Sequence, residues 1–182
     1  LPALRELARR NPGTIELAML CDPLVNPAED LGFARTGTSL AELLACAPDA
    51  IVAVTPPAVT AEVARAILDR GIPLLMEKPL GRAVVDHAAG RPVMVSLNRR
   101  FDPAVCFVRA HLGADRVFHL RATMVRNARA VEGFLEDAGL HALDLLRFLG
   151  GEIAEMAGGA IRFTSGATGG LELLPTSGHW EE

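Results

Sequence analysis

Apolar residues along this chain fall into short runs separated by helical stretches, and the alternation is regular through the first hundred positions. Residues 1–10 have an apolar stripe from Leu4, Leu7 and Ala8 that stops at Asn11-Pro12-Gly13, which predicts a helix. Residues 15–20 are a compact apolar run ending in Cys21-Asp22-Pro23, a buried strand and its turn. Thr38-Ser39, with Glu42 placed as a capping-box acid, predicts a short helix over 40–45. A second strand is expected over 50–54, closed by Thr55-Pro56-Pro57, and a helix over 58–70 that stops at Gly71. A third strand over 72–76 runs into Glu77-Lys78-Pro79, and a fourth over 92–97 into Asn98-Arg99-Arg100-Phe101. Asp102-Pro103 then opens a helix to about Leu112.

Strands that are apolar on both faces and alternate with helices predict a parallel sheet covered on both sides. Beyond Gly113 the pattern changes. Residues 116–125 alternate apolar and polar, 133–149 read as a helix ended by Gly150-Gly151, and 153–163 and 170–174 read as strands among Gly-rich turns. The expected fold class is α/β: a parallel-sheet domain over residues 1–113, followed by an α+β domain over 114–182 with a mainly antiparallel sheet.

Composition narrows the function classes. Half the residues are hydrophobic and the net charge is −4, with acids and bases interspersed. No basic stripe points to nucleic acid, and no apolar run approaches the roughly 18 to 20 residues of a membrane span. The first seven residues, charged and helix-like, are expected to be a helix rather than a secretion signal. Cys21, Cys46 and Cys106 form no disulfide or metal-ligand pattern, so reduced thiols in the cytoplasm and no metal are expected. Of 18 basic residues, Lys78 is the sole lysine. Arginine does not release its proton at useful pH, whereas burial can tune a lysine to exchange one.

In parallel sheets of this kind the ligand sits beyond the carboxyl ends of the strands, and here each end carries polar or special residues. Asp22 is placed to accept hydrogen bonds from both adenosine ribose hydroxyls and to repel a 2′-phosphate, which favours NAD over NADP. The other reading of Asp22 is an ordinary Asp-Pro turn. Asp137, His141 and Asp144 fall on one helical stripe spaced i, i+4, i+7 on an otherwise apolar helix. Such a stripe aims carboxylate and imidazole into one site. His87, His111, His119 and His179 have no partner at motif spacing and are expected to be surface or structural, although His179-Trp180 can also be read as lining a pocket.

In order and spacing, Met76-Glu77-Lys78-Pro79-Leu80, Asp22-Pro23, Thr55-Pro56-Pro57, Asn98-Arg99-Arg100-Phe101 and the Asp137…His141…Asp144 helix resemble the Gfo/Idh/MocA oxidoreductases, a family that includes glucose–fructose oxidoreductase and inositol dehydrogenase. The resemblance implies a Rossmann-type domain holding NAD, with NADP possible, and a second domain supplying the site for a sugar or polyol and pairing with further copies of the chain. It implies Lys78, Asp137 and His141 as catalytic residues, with Asp22, Thr55, Pro56, Glu77, Lys78 and Asn98 near the cofactor. A non-catalytic NAD(P)-binding protein on the same fold is the alternative, because fold does not fix function. The sequence departs from the family pattern at Thr60, where many relatives have His. The family also has a preceding strand with a Gly-x-Gly-x-x-Gly turn and a larger second sheet. The connections 23–33 and 81–91 are short for full crossovers, which need about a dozen residues. The 182 residues are therefore expected to be part of a longer chain, lacking both ends and portions of loops.

Overall fold

The computed structural model describes residues 2–23, 32–79, 81–112, 117–126 and 132–175. The chain forms two compact units, Leu1–Met76 with Leu80–Met94, and Glu77–Pro79 with Val95–Glu182. The Glu77-Lys78-Pro79 segment and everything from the end of the fourth predicted strand onward thus belong to the second unit.

The first unit alternates strands and helices as the apolar runs require. Helix α1 spans Pro2–Arg10, β1 Met19–Cys21, β2 Arg35–Gly37, α2 Leu40–Ala45, β3 Ile51–Ala53, α3 Pro57–Leu68, β4 Leu74–Met76, α4 Arg82–Ala88 and β5 Val93–Val95. β1 pairs with β2 in parallel. β3, β4 and β5 are consecutive neighbours in a separate sheet, with β3 and β4 parallel. Each of these strands is three residues long, so β1, β3, β4 and β5 are shorter than the apolar runs that mark them. β2 was not visible in the sequence: Arg35 and Thr36 are exposed and polar, so no apolar run marks it. α2 begins where its cap predicts, with the Ser39 hydroxyl accepting from the Ala41 N–H. In α3, Pro57 sits at the first turn, where its missing N–H costs no helical bond.

The core of this unit lies between α3 and one face of the β3–β4–β5 sheet. Thr60, Ala64, Ile67 and Leu68 of α3 are buried at helical spacing, and the last three pack in one cluster with Ile51, Ala53, Leu74 and Met76. Val52 and Met94, the middle residues of β3 and β5, are exposed, so the covering expected on both sides of the sheet is less complete at these positions.

In the second unit the chain runs α5 (Pro103–Leu112), β6 (His119–Val125), α6 (Leu140–Gly150), β7 (Ile153–Ala157), β8 (Ala160–Phe163) and β9 (Thr168–Leu174). The sheet order is β6-β9-β8-β7. β7–β8 and β8–β9 are antiparallel and β6–β9 is parallel, so the sheet is mixed but mainly antiparallel. Residues 153–163 fold back on themselves at Gly158 and Gly159, both at positive φ as a two-residue hairpin loop requires. α6 lies on the sheet through Ala142 and Leu146, which pack among Ala122, Leu171, Ile161 and Phe163. The approach is close enough that a Cβ at Gly150 would stand 2.7 Å from a Leu120 methyl and 2.8 Å from the Phe163 ring.

The helix expected over 133–149 forms, but not as a uniform α-helix. A π-helical turn, Leu135–Gly139, precedes α6, and the Leu140 N–H reaches the Leu135 carbonyl five residues back. Such turns insert one extra residue into a helix and recur at functional sites.

Ile67 has no exposed surface, whereas Val54 is 76% exposed. Ile67→Ala is expected to lower unfolding free energy by about 2–5 kcal/mol, and Val54→Ala by less than about 0.5 kcal/mol. Urea titration checks both, and equal effects at the two positions would contradict this assignment of the core.

Candidate active site

The second unit brings together three segments distant in sequence. Glu77-Lys78-Pro79 follows β4. A 3₁₀ turn, Asn98–Phe101, follows β5. α6 carries His141 and Asp144. Asn98, Arg99, Phe101, Asp102 and His141 line a cavity of about 460 Å³, open to solvent and of the size that accepts a small ligand. Asp102 is fixed there by its role at the start of α5, its carboxylate accepting from the Ala104 N–H at 2.9 Å.

Asp144 is 4% exposed. Its carboxylate is held by Arg100, whose Nε donates to Oδ2 at 3.0 Å and whose Nη2 donates to Oδ1. The two-pronged fit matches guanidinium to carboxylate geometry, and it pushes the Arg100 pKa further up, chiefly through its hydrogen bond with Asp144. Asp144 is therefore held as the ion-pair partner of Arg100, although the sequence places it on one stripe with His141.

His141 is pushed the other way. Its pKa lies below the ordinary imidazole value, first because burial disfavours the charged ring, then because the charges of Arg99, Lys78 and Arg126 oppose protonation, against a smaller opposite effect of Asp144. Lys78 and Arg99 are thus close enough for their charges to act on the ring. Nδ1 of His141 is buried and has no hydrogen-bond partner among the described residues. The result is a neutral imidazole among cations at the wall of an open cavity.

Of the other residues singled out from the sequence, Asn98 stands in this cavity wall and Glu77 precedes Lys78 in the same unit. Asp137 lies in the π-helical turn, and its side chain is outside the described residues, as are His179 and Trp180. Asp22, Thr55 and Pro56 belong to the first unit. Asp22 directly follows β1, its N–H bonded to the Gly37 carbonyl at 3.1 Å. The Thr55 and Thr60 hydroxyls share a hydrogen bond of 2.9 Å, and Thr60 also donates to the Pro56 carbonyl at 3.0 Å. Thr60, the departure from the family pattern, thus ties down the turn after β3.

The remaining described histidines have local partners. His87 meets Asp69, His111 the Phe107 carbonyl and His119 the Thr168 hydroxyl, each at 2.9 Å. The pairing of Arg100 with Asp144 and the influence of Arg126 on His141 were not read from the sequence, because each depends on contacts between segments that no local spacing records.

A family model described as an oxidoreductase family with an NAD-binding Rossmann fold, Gfo/Idh/MocA, matches residues 2–99. The chain belongs to this family. Among Gfo/Idh/MocA relatives, D-apiose dehydrogenase of Paraburkholderia graminis is 31% identical over 78% of this chain and 39% of its own length. Inositol 2-dehydrogenase 4 of Saccharopolyspora erythraea is 36% identical over 68% of this chain and 41% of its own length. The chain therefore spans about two fifths of the curated relatives it matches. A solved levoglucosan dehydrogenase in complex with NADH has the same fold, with a TM-score of 0.67 at 22% identity over 87% of this chain and 57% of the other.

The site's electrostatics have a measurable consequence. The pKa of His141 is expected below about 6.5 by NMR titration of its ring protons, and Arg99→Gln is expected to raise it. Because folding lowers this pKa, the stability linked to His141 is complete above the unfolded imidazole value and is lost as pH falls below it. A pKa unchanged by Arg99→Gln would contradict the electrostatic account.

Proposed function

We propose that this protein is an NAD-dependent dehydrogenase that oxidises a secondary alcohol of a sugar, inositol or related polyol. The observation that carries this reading is the His141 imidazole at the wall of an open cavity, with Lys78 and Arg99 close enough for their charges to act on it, in a chain of the Gfo/Idh/MocA family. The relatives named as D-apiose and inositol dehydrogenases support the substrate class.

The residues of the first unit fit NAD. Asp22, Thr55 and Pro56 stand just past the carboxyl ends of β1 and β3, where parallel sheets hold dinucleotides. An Asp22 carboxylate suits the two free ribose hydroxyls of NAD and disfavours the 2′-phosphate of NADP. Glu77, Lys78 and Asn98 are the further residues assigned to the cofactor. When bound, NAD supplies the hydride acceptor, and the protein supplies geometry and electrostatics.

His141 acts as general base. Its Nδ1 is buried, so Nε2 is the atom left to take the hydroxyl proton. A depressed pKa favours the uncharged ring, and Nε2 accepts in the tautomer that carries its single proton on Nδ1. The Lys78 ammonium binds the same oxygen and stabilises the negative charge that grows on it as its proton leaves. Asp137 orients His141 or a neighbouring substrate hydroxyl. A cytoplasmic homo-oligomer without nucleic-acid or membrane partners completes the reading, its cytoplasmic part supported by the free thiols of Cys21, Cys46 and Cys106.

Turnover of NAD with a panel of polyols and sugars tests this. Lys78→Met is expected to keep the fold, seen by circular dichroism, and to lower kcat about 10²–10³-fold. Undiminished turnover in that variant would refute the role of Lys78, and cofactor binding with no turnover on any polyol would favour a non-catalytic protein.

A further inference from the structure

Neither the 3₁₀ turn Asn98–Phe101 nor helix α5 after it buries a single residue fully. Hydrophobic burial therefore does little to fix this stretch, although four of its neighbouring residues, Asn98, Arg99, Phe101 and Asp102, make one wall of the cavity. The described contacts that tie the stretch to α6 run through guanidinium groups. Arg100 grips Asp144 by two hydrogen bonds. The Arg100 guanidinium also lies 5.3 Å from the centroid of the Phe148 ring, and that of Arg109 lies 5.6 Å from the same ring, within cation–π range. Asp144 and Phe148 are spaced i, i+4 and so share one side of α6. His141 precedes Asp144 by three positions on the same helix.

We propose that the Arg100–Asp144 pair is a positioning device, setting the Asn98–Arg99 wall against His141, and that Arg100 and Asp144 are positioning residues with no part in proton or hydride transfer. Asp144 is not a proton carrier: its carboxylate is almost wholly buried and both oxygens accept from Arg100. Nor does stability alone explain the pair, since buried ion pairs are commonly replaced by well-packed apolar residues without loss of stability. What an apolar pair cannot reproduce is direction. A planar fork on a carboxylate fixes the angle as well as the distance between turn and helix. A displacement of about 1 Å between a binding wall and a base can cost about 100-fold in rate.

This inference rests on the dehydrogenase reading, and its test separates the two. The double variant Arg100→Met/Asp144→Leu removes both charges while filling the space. Its Tm is expected within a few degrees of the wild type, while kcat stays about 10–100-fold lower and amide hydrogen exchange at residues 98–101 becomes faster with α6 unchanged. A double variant that regains both Tm and full kcat, with exchange at 98–101 as in the wild type, overturns the proposal. Arg100→Lys guards against a double variant that fails to fold. It keeps the charge but not the fork, and is expected to fold with faster exchange at 98–101 and about tenfold lower kcat. Wild-type exchange and wild-type kcat in Arg100→Lys would also overturn it. A wild-type protein that oxidises no polyol would count against the dehydrogenase reading instead, and exchange at 98–101 in both variants would still decide this one.

Discussion

A carboxylate taken out of water costs several kcal/mol unless a counter-charge meets it with good geometry. Asp144 is such a group, and the arrangement of the second unit follows from how it is satisfied. Its partner, Arg100, comes from a turn 44 residues earlier. To reach Asp144, that turn must lie along α6. Asn98 and Arg99 then line the same cavity as His141. α6 is in turn held by its apolar side, where Ala142 and Leu146 meet the sheet. The helix thus has one apolar side bound to the sheet and a polar side that gathers the site.

With Asp144 neutralised by Arg100, the charges left around His141 are mostly positive. Burial and the cations Arg99, Lys78 and Arg126 act together on the ring, and both effects favour the neutral form. That is the protonation state a general base needs, and the same cations suit an oxygen that becomes negative as its proton leaves.

The sequence revealed most where physics is local. The Ser39 cap of α2 and the stop at Gly71 after α3 are properties of single helices, and those helices appear close to where the pattern puts them. The buried strands were visible as apolar runs, but their lengths were not, because a ladder ends where its neighbour ends. β2 was invisible, since Arg35 and Thr36 carry no apolar signal. The π-helical turn was hidden for a similar reason: residues 135–139 read as ordinary helix. At the site, Lys78, Asn98 and His141 were marked by motif and by place at strand or helix ends. Arg100 was named within a motif but given no role, and Asp144 was read as part of an acid–His–acid line. Only folding across 44 residues shows that those two neutralise each other.

The central proposal is that His141 and Lys78 present a base and a cation to an alcohol whose hydride passes to NAD. Transfer of deuterium from a polyol deuterated at its carbinol carbons to NAD, read by mass spectrometry of the cofactor, tests it most directly. The account expects one deuterium in the reduced nicotinamide, and no transfer when Lys78 is replaced by Met. Cofactor that binds but stays oxidised with every polyol and sugar offered would contradict it.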